Sequence, residues 1–372
     1  MSTQAHRPEL AVLISFSGDG GVERMVLNLL RRFPEQGCQT DLLTLRTEGG
    51  HFHSVPNAVR HLPLGVRHAS TCVPALVRYL RRERPAVLLA AKDRAGRAAL
   101  LARRLAGVET RVYIRLGNTL SASLAQDSGL KRWWRYMPIR RLYPWADGLI
   151  AVSDGVAQDV AATSGVKRDR IHVIRNPVLT DTLAEQAEAP VEHPWLQVPR
   201  TEPVIMGLGR LTRQKDFPTL LDAFARLQHR RGARLIILGE GPERGALEAQ
   251  AYRLGITARL HLAGFQSNPY AWLRRTDLFV LSSAWEGSPN ALTEALALGR
   301  PSVSTDCPSG PREILGSGKY GPLVPVGDAD AMAEAMMKTL TAPLPSATLQ
   351  EAVAGYRDET SAARYLHVMG LQ

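Results

Sequence analysis

The 372-residue chain has little of what ties small secreted or membrane-spanning proteins together. Its three cysteines, Cys38, Cys72 and Cys307, are far apart and lack metal-ligand spacing. So sparse and odd a count excludes a disulfide scaffold. It favours a reduced, cytoplasmic chain in which each thiol is a small core residue. No apolar run approaches the roughly 20 residues that span a bilayer. The short apolar stretch 10–15 runs straight into a glycine-rich loop, so it does not read as a secretion signal. There are no short repeats and no low-complexity tract, and no zinc-finger spacing or RNA-recognition signature, which sets nucleic acid aside as a partner.

What is present is an ordinary globular composition, 45% hydrophobic and 22% charged, with length for two domains. The formal net charge of +11 is uneven. Residues 1–182 carry 27 Lys+Arg against 15 Asp+Glu, whereas 183–372 carry 19 against 20. A basic first half suits an anionic partner such as a membrane surface or a phosphate-bearing acceptor.

Short apolar runs at 10–16, 41–45, 86–91, 110–116, 148–152 and 171–174 alternate with helical patterns such as 22–32. A proline-bearing stretch from Asn176 to Pro203 interrupts the series. A second series follows, with strands at 204–208, 235–238, 260–263, 278–281 and 302–305 and helices near 218–228, 244–254 and 291–297; 348–367 reads as helix. Alternating strands and helices predict α/β architecture with parallel sheets covered on both faces. The expected domains are 1–182, a linker at 183–202, 203–347, and a C-terminal helix in 348–372 that packs back on the first domain. Two doubly wound halves predict a ligand between them, with closure by motion about the linker.

The chemistry concentrates in Ser282-Ser283-Ala284-Trp285-Glu286-Gly287-Ser288-Pro289-Asn290-Ala291-Leu292-Thr293-Glu294-Ala295. Glu286 falls on a strand-to-helix loop and Glu294 about two turns into the helix. One carboxylate can face the reacting end of a ligand while the other holds a more distant part. The alternative is two solvated acids on a helix. Upstream, Gly209-Arg210-Leu211 leads to Lys215-Asp216-Phe217. Glycine permits close backbone approach, and two cations five residues apart can clamp a diphosphate. Gly239-Glu240-Gly241-Pro242 and Leu262-Ala263-Gly264-Phe265 are further strand-exit turns, readable as structure or as ligand contact.

These pieces in this order, closed by Gly299-Arg300-Pro301, resemble the retaining glycosyltransferases of family four. That family has the GT-B fold: two Rossmann-like doubly wound domains facing across a cleft. Gly20-Gly21-Val22-Glu23-Arg24 and Ala151-Val152-Ser153-Asp154-Gly155-Val156 extend the resemblance into the first half. The resemblance implies that Arg210 and Lys215 bind the donor diphosphate and that Glu294 accepts from ribose hydroxyls. Glu286 would hold the donor sugar at the reaction centre. The helix opening at Ser288, Pro289, Asn290, Ala291 and Leu292 would favour the phosphate charge. Gly20 and Gly21 would let the first-domain loop approach the diphosphate, and Phe265 would border the base. Catalysis in the family is described without a protein nucleophile: the leaving diphosphate helps to deprotonate the acceptor, and the protein positions and stabilises charge. No metal and no cofactor are expected; the UDP-sugar is a co-substrate.

Ser309-Gly310-Pro311-Arg312-Glu313-Ile314 resembles a subgroup that includes N-acetylhexosaminyltransferases of lipid-linked oligosaccharides, which tilts the donor toward a UDP-N-acetylhexosamine, with a UDP-hexose close behind. Arg115-Leu116-Gly117-Asn118-Thr119 has glycine where some members have a first-domain histidine. Arg115, Asn118 and Lys92 are therefore the acceptor-side candidates. The run from Lys131 to Trp145 mixes cations with aromatics. It reads either as a helix whose aromatics face the core or as a contact with anionic membrane.

The expectation is a retaining, metal-independent transferase acting from a UDP-sugar on a lipid-linked oligosaccharide or surface-polysaccharide acceptor, peripheral at the cytoplasmic membrane face. Its rivals are a GT-B enzyme with a soluble acceptor and a non-catalytic membrane or nucleic-acid platform.

Overall fold

The computed structural model describes residues 8–16, 20–47, 54–69, 71–125 and 128–372. Ser17, Gly18 and Asp19, part of the glycine-rich loop before the first helix, lie outside the described residues. The chain forms two compact units. One is Met1–Val178 with Arg357–Gln372, and the other is Leu179–Tyr356. The units divide at Val178 rather than at 182, and 183–202 is part of the second unit, where it forms the helix Thr182–Glu188 and a short turn at Pro194–Leu196. The segment 348–356 also stays with the second unit, and only the helix Asp358–Val368 joins the first.

The first unit holds β1 (Leu10–Phe16), β2 (Thr40–Thr47), β3 (Arg60–Pro63), β4 (Val87–Ala90), β5 (Arg111–Leu116), β6 (Gly148–Ala151) and β7 (Ile171–Val173), in sheet order β3-β2-β1-β4-β5-β6-β7. The second holds β8 (Val204–Leu208), β9 (Arg234–Leu238), β10 (Leu260–Gly264), β11 (Leu278–Leu281), β12 (Ser302–Thr305) and β13 (Leu323–Val324), in order β10-β9-β8-β11-β12-β13. Every strand pair is parallel. A parallel sheet needs both faces covered, and strands such as Leu278-Phe279-Val280-Leu281 are accordingly buried throughout.

Each sheet grows in one direction from its first strand and then in the other. The reversal lies between β1 and β4 in the first unit and between β8 and β11 in the second. At such a point the loops leaving two neighbouring strands diverge and open a crevice at the carboxyl ends. In the second unit those are the loops 209–216 and 282–289, which carry the motif residues.

Candidate active site

Arg210 and Lys215 leave β8, and Glu286 leaves β11. The two loops are stitched together. The Ala284 amide donates to the Gln214 carbonyl at 2.8 Å, the Gln214 side chain to the Trp285 carbonyl at 3.0 Å, and the Ser282 hydroxyl to the Lys215 carbonyl at 2.7 Å. At their centre the Lys215 ammonium lies 2.5 Å from Oε1 of Glu286, and the Ser283 hydroxyl donates to the same oxygen at 2.7 Å. Both sites of the pair are largely withdrawn from water, with side chains 19% and 8% exposed for Lys215 and Glu286. Lys215 is therefore not a bare cation for a ligand, as its motif alone suggests, but one already paired. Arg210 is exposed and makes no ion pair among the described residues.

Glycine makes this packing possible where it matters most. An added Cβ at Gly239 would lie 1.9 Å from the Gly209 carbonyl oxygen, so the β9 exit passes directly under the Gly209-Arg210 turn. The Gly239 amide in turn donates to the Gly264 carbonyl at 2.8 Å. Three neighbouring strand exits thus interlock through their backbones, with Phe265 half exposed beyond the last.

Helix Asn290–Ala297 follows the β11 loop. Pro289 caps the helix with an extended backbone, so the first helical residue is Asn290 and Glu294 falls just past the first turn, not two turns in. Glu294 is 1% exposed. Ser288, Pro289 and Leu292 are buried, and Asn290 and Ala291 are partly open at the helix tip. The Leu292 amide bonds to the Pro289 carbonyl at 3.2 Å, so it is spent within the turn rather than offered to an anion.

The Ser309-Gly310-Pro311 motif has a mechanical task. Ser309 donates to the Gly287 carbonyl at 3.0 Å, and Gly310, at φ +82°, leaves no room for a Cβ: it would sit 2.7 Å from Pro289 and 2.8 Å from the Gly287 carbonyl. The motif buttresses the turn that carries Glu286. Cys307 lies behind it, and burial first, then the Glu286 charge, pushes its thiol up to about 12, which keeps it an unreactive thiol. Burial also raises the Asp216 carboxyl. The chain's one Asp-x-Asp, Asp328-Ala329-Asp330, serves a helix start: Asp328 accepts from the Ala331 amide at 2.8 Å and Asp330 pairs with Arg226.

In the first unit Gly20 precedes and Gly21 begins the helix Gly21–Glu35 after β1. Lys92, after β4, lies 2.7 Å from Glu23 and donates to the Ser15 carbonyl. This places Gly20, Gly21, Glu23 and Lys92 at the reversal point of that sheet. Arg115 does not line an open wall. It is 3% exposed and donates to Asn176 at 2.7 Å, a buried strut from β5 to the end of the unit. Asn118 is exposed. Glu23 and Ser283 are the contacts that motif reading left without a role. Both sit inside quoted motifs, and only their partners distant in sequence reveal what they do.

The run 131–145 divides in two. On the helix Gly129–Leu142, Leu130, Trp133 and Trp134 are 73%, 51% and 65% exposed, beside exposed Lys131 and Arg132. Ile139 and Tyr143 turn inward. The two tryptophans meet edge to face at 5.4 Å, on the outside of the unit rather than in its core.

A model described as "Glycosyltransferase Family 4" matches residues 19–182, and one described as "Glycosyl transferases group 1" matches 202–342. The lipopolysaccharide core biosynthesis glycosyltransferase LpsE of Rhizobium meliloti (strain 1021) is 31% identical over 332 residues, 86% of each chain. The N-acetylgalactosamine-N,N'-diacetylbacillosaminyl-diphospho-undecaprenol 4-alpha-N-acetylgalactosaminyltransferase of Campylobacter jejuni is 28% identical over 242 residues, 65% of this chain and 63% of that one. Among solved structures, Anabaena HepE in complex with UDP and glucose superposes with a TM-score of 0.79 at 17% identity, covering 98% of this chain and 99% of that one. The apo lipopolysaccharide outer core galactosyltransferase WaaB gives 0.72 at 20%, covering 97% and 99%. At such identities the structural likeness carries the fold, which is GT-B. The two family models and the relative at 31% identity carry the rest: the chain belongs to the family-four glycosyltransferases.

Proposed function

We propose that the chain transfers a sugar from a UDP-sugar, with retention, to a lipid-linked oligosaccharide or surface-polysaccharide acceptor. The observation that carries the reading is the pairing of Lys215 with Glu286 at the sheet reversal, on the loop that leads into a helix with Glu294 buried one turn inside it. Arg210, Lys215 and the helix tip offer positive charge to a diphosphate, Glu286 offers acceptor oxygens to sugar hydroxyls, and Glu294 to a ribose. As the bond from the anomeric carbon to phosphate breaks, the acceptor oxygen bonds to that carbon on the same face. Its proton passes to the departing phosphate oxygen. Relatives named for lipopolysaccharide core and undecaprenol-linked products, and a fold neighbour holding UDP and glucose, favour this donor and acceptor class. The subgroup resemblance favours an N-acetylhexosamine.

In this reading the first unit, with Asn118 and Lys92 as acceptor-side residues, takes the acceptor. The outward tryptophans and cations of Gly129–Leu142 rest on an anionic membrane at its cytoplasmic face. No described helix is long and apolar enough to cross a membrane. The reading is tested by calorimetric titration with UDP. Arg210→Ala and Glu294→Ala should each weaken binding about tenfold or more, the scale of a lost charge-assisted hydrogen bond. Full UDP affinity in Glu294→Ala would remove the ribose assignment.

A further inference from the structure

We infer that Lys215 is shared between Glu286 and the donor diphosphate, so that nucleotide binding is an exchange of partners at Lys215, with Ser283 as the positioning residue that keeps Glu286 in place during it. The inference rests on the reading of Lys215 as a diphosphate contact.

The geometry is specific. Lys215 and Ser283 both donate to one oxygen, Oε1 of Glu286, and no other hydrogen bond to this carboxylate is formed among the described residues. The Lys215 stem lies along the face of Gly209, where an added Cβ would meet it at 2.8 Å, so the ammonium holds this place only because residue 209 has no side chain. Ser283 is fully buried, and its carbonyl is fixed by the Thr305 hydroxyl at 2.6 Å. A phosphate oxygen that approaches Lys215 must therefore compete with a carboxylate that shares the ammonium in a poorly solvated setting, where leaving either charge without a partner is costly. As the ammonium turns toward phosphate, Glu286 keeps one donor, the neutral Ser283 hydroxyl. Its Oε2 stays oriented for a sugar hydroxyl. Binding of the nucleotide thus loosens Glu286 from its cation at the moment the sugar arrives.

The consequence runs against ordinary expectation for a site residue. Glu286→Gln keeps the shape and removes the competing charge, so it should bind UDP about five- to tenfold more tightly than the parent protein. Ser283→Ala leaves Glu286 to depend on Lys215 and should weaken UDP binding about two- to threefold. A general repulsion between Glu286 and the diphosphate would also make Glu286→Gln bind more tightly, and a double-mutant cycle separates the two. In a Lys215→Met background, itself about tenfold weaker, Glu286→Gln should change UDP affinity by less than about twofold. Titration of the four proteins with UDP decides it. Unchanged or weaker binding in Glu286→Gln, or tightening that persists in full with Lys215→Met, overturns the exchange. If Lys215→Met binds UDP like the parent, or the parent binds none, the reading of the diphosphate site itself falls.

Discussion

Gly239 shows how little slack the second unit's site has. Its φ of +138° is one that side chains rarely adopt, and a methyl group there would run into the backbone of Gly209. Gly239→Ala is expected to lower unfolding free energy by about 2–3 kcal/mol, read by urea denaturation, and to weaken UDP binding because Arg210 and Lys215 follow the displaced turn. Gly310→Ala should act on the opposite side of the site by pushing the Gly287–Pro289 turn. It should impair turnover more than Gly245→Ala, where no atom lies within 4 Å of the added Cβ. Comparison of initial rates at saturating donor checks this. Local sequence singled out Glu286 and Glu294 as candidates, because their spacing and flanking glycines are all within one strand-loop-helix segment. It hid the pairing of Glu286 with Lys215, 71 positions away, and the burial of Arg115 against Asn176. Those depend on which strands become neighbours.

Among the elements, the stretch 189–200 is held by rings. His193 stacks on His261 of β10 with centroids 4.7 Å apart, and Trp195 and Trp272 flank the pair. Burial lowers both imidazoles below the ordinary value near 6.5; His261 adds to the shift of His193, and Arg244 to that of His261. A lowered histidine pKa means that below about 6.5 the unfolded chain takes up protons that the folded one resists. The stability these rings contribute is therefore present above that value and lost as pH falls through the folded pKa. The thermal midpoint of the protein is expected to fall between pH 7 and 5, and replacement of both histidines by phenylalanine should flatten that slope. An unchanged slope would remove the stacked pair from the account. The helix Gly129–Leu142 is the other element with a separable role. Replacement of Lys131, Arg132 and Arg135 by Glu should weaken sedimentation with anionic vesicles by roughly 100-fold, at about 1 kcal/mol per residue near the surface. Unchanged sedimentation would leave the exposed tryptophans without a membrane. Most strands were readable to within a residue or two, from largely apolar runs as at 10–16, 204–208 and 278–281, and at 302–305 although Ser-Val-Ser-Thr holds one apolar residue. Two were not. β3, Arg-His-Leu-Pro at a sheet edge, has neither a buried run nor alternation, and β13 is only two residues long. The single helix expected at 348–367 is two helices, parted by a turn at Ala354–Tyr356.

At the scale of the whole molecule, that turn explains why the domain boundaries were not legible. The chain leaves the first unit at Val178 and re-enters it at Arg357, and the Leu179 amide bonds to the Tyr356 carbonyl at 3.0 Å, so exit and return lie side by side. The returning helix is fastened by Asp358 to Arg32 at 3.0 Å and by the Val368 carbonyl to the Tyr113 hydroxyl at 3.1 Å, pairs more than 250 positions apart. No local pattern announces them. The charge asymmetry, by contrast, is plain in the sequence, and it predicts that vesicle binding falls steeply with salt as the first half's excess of cations is screened. Transfer from a UDP-sugar is the activity proposed for the whole molecule. Its most direct test offers UDP-, GDP- and ADP-sugars to the purified protein without added metal and follows binding and slow release of nucleotide. One UDP-sugar should bind and be turned over, with UDP itself competing. Binding of GDP- or ADP-sugars alone, or of none of the panel, would contradict it.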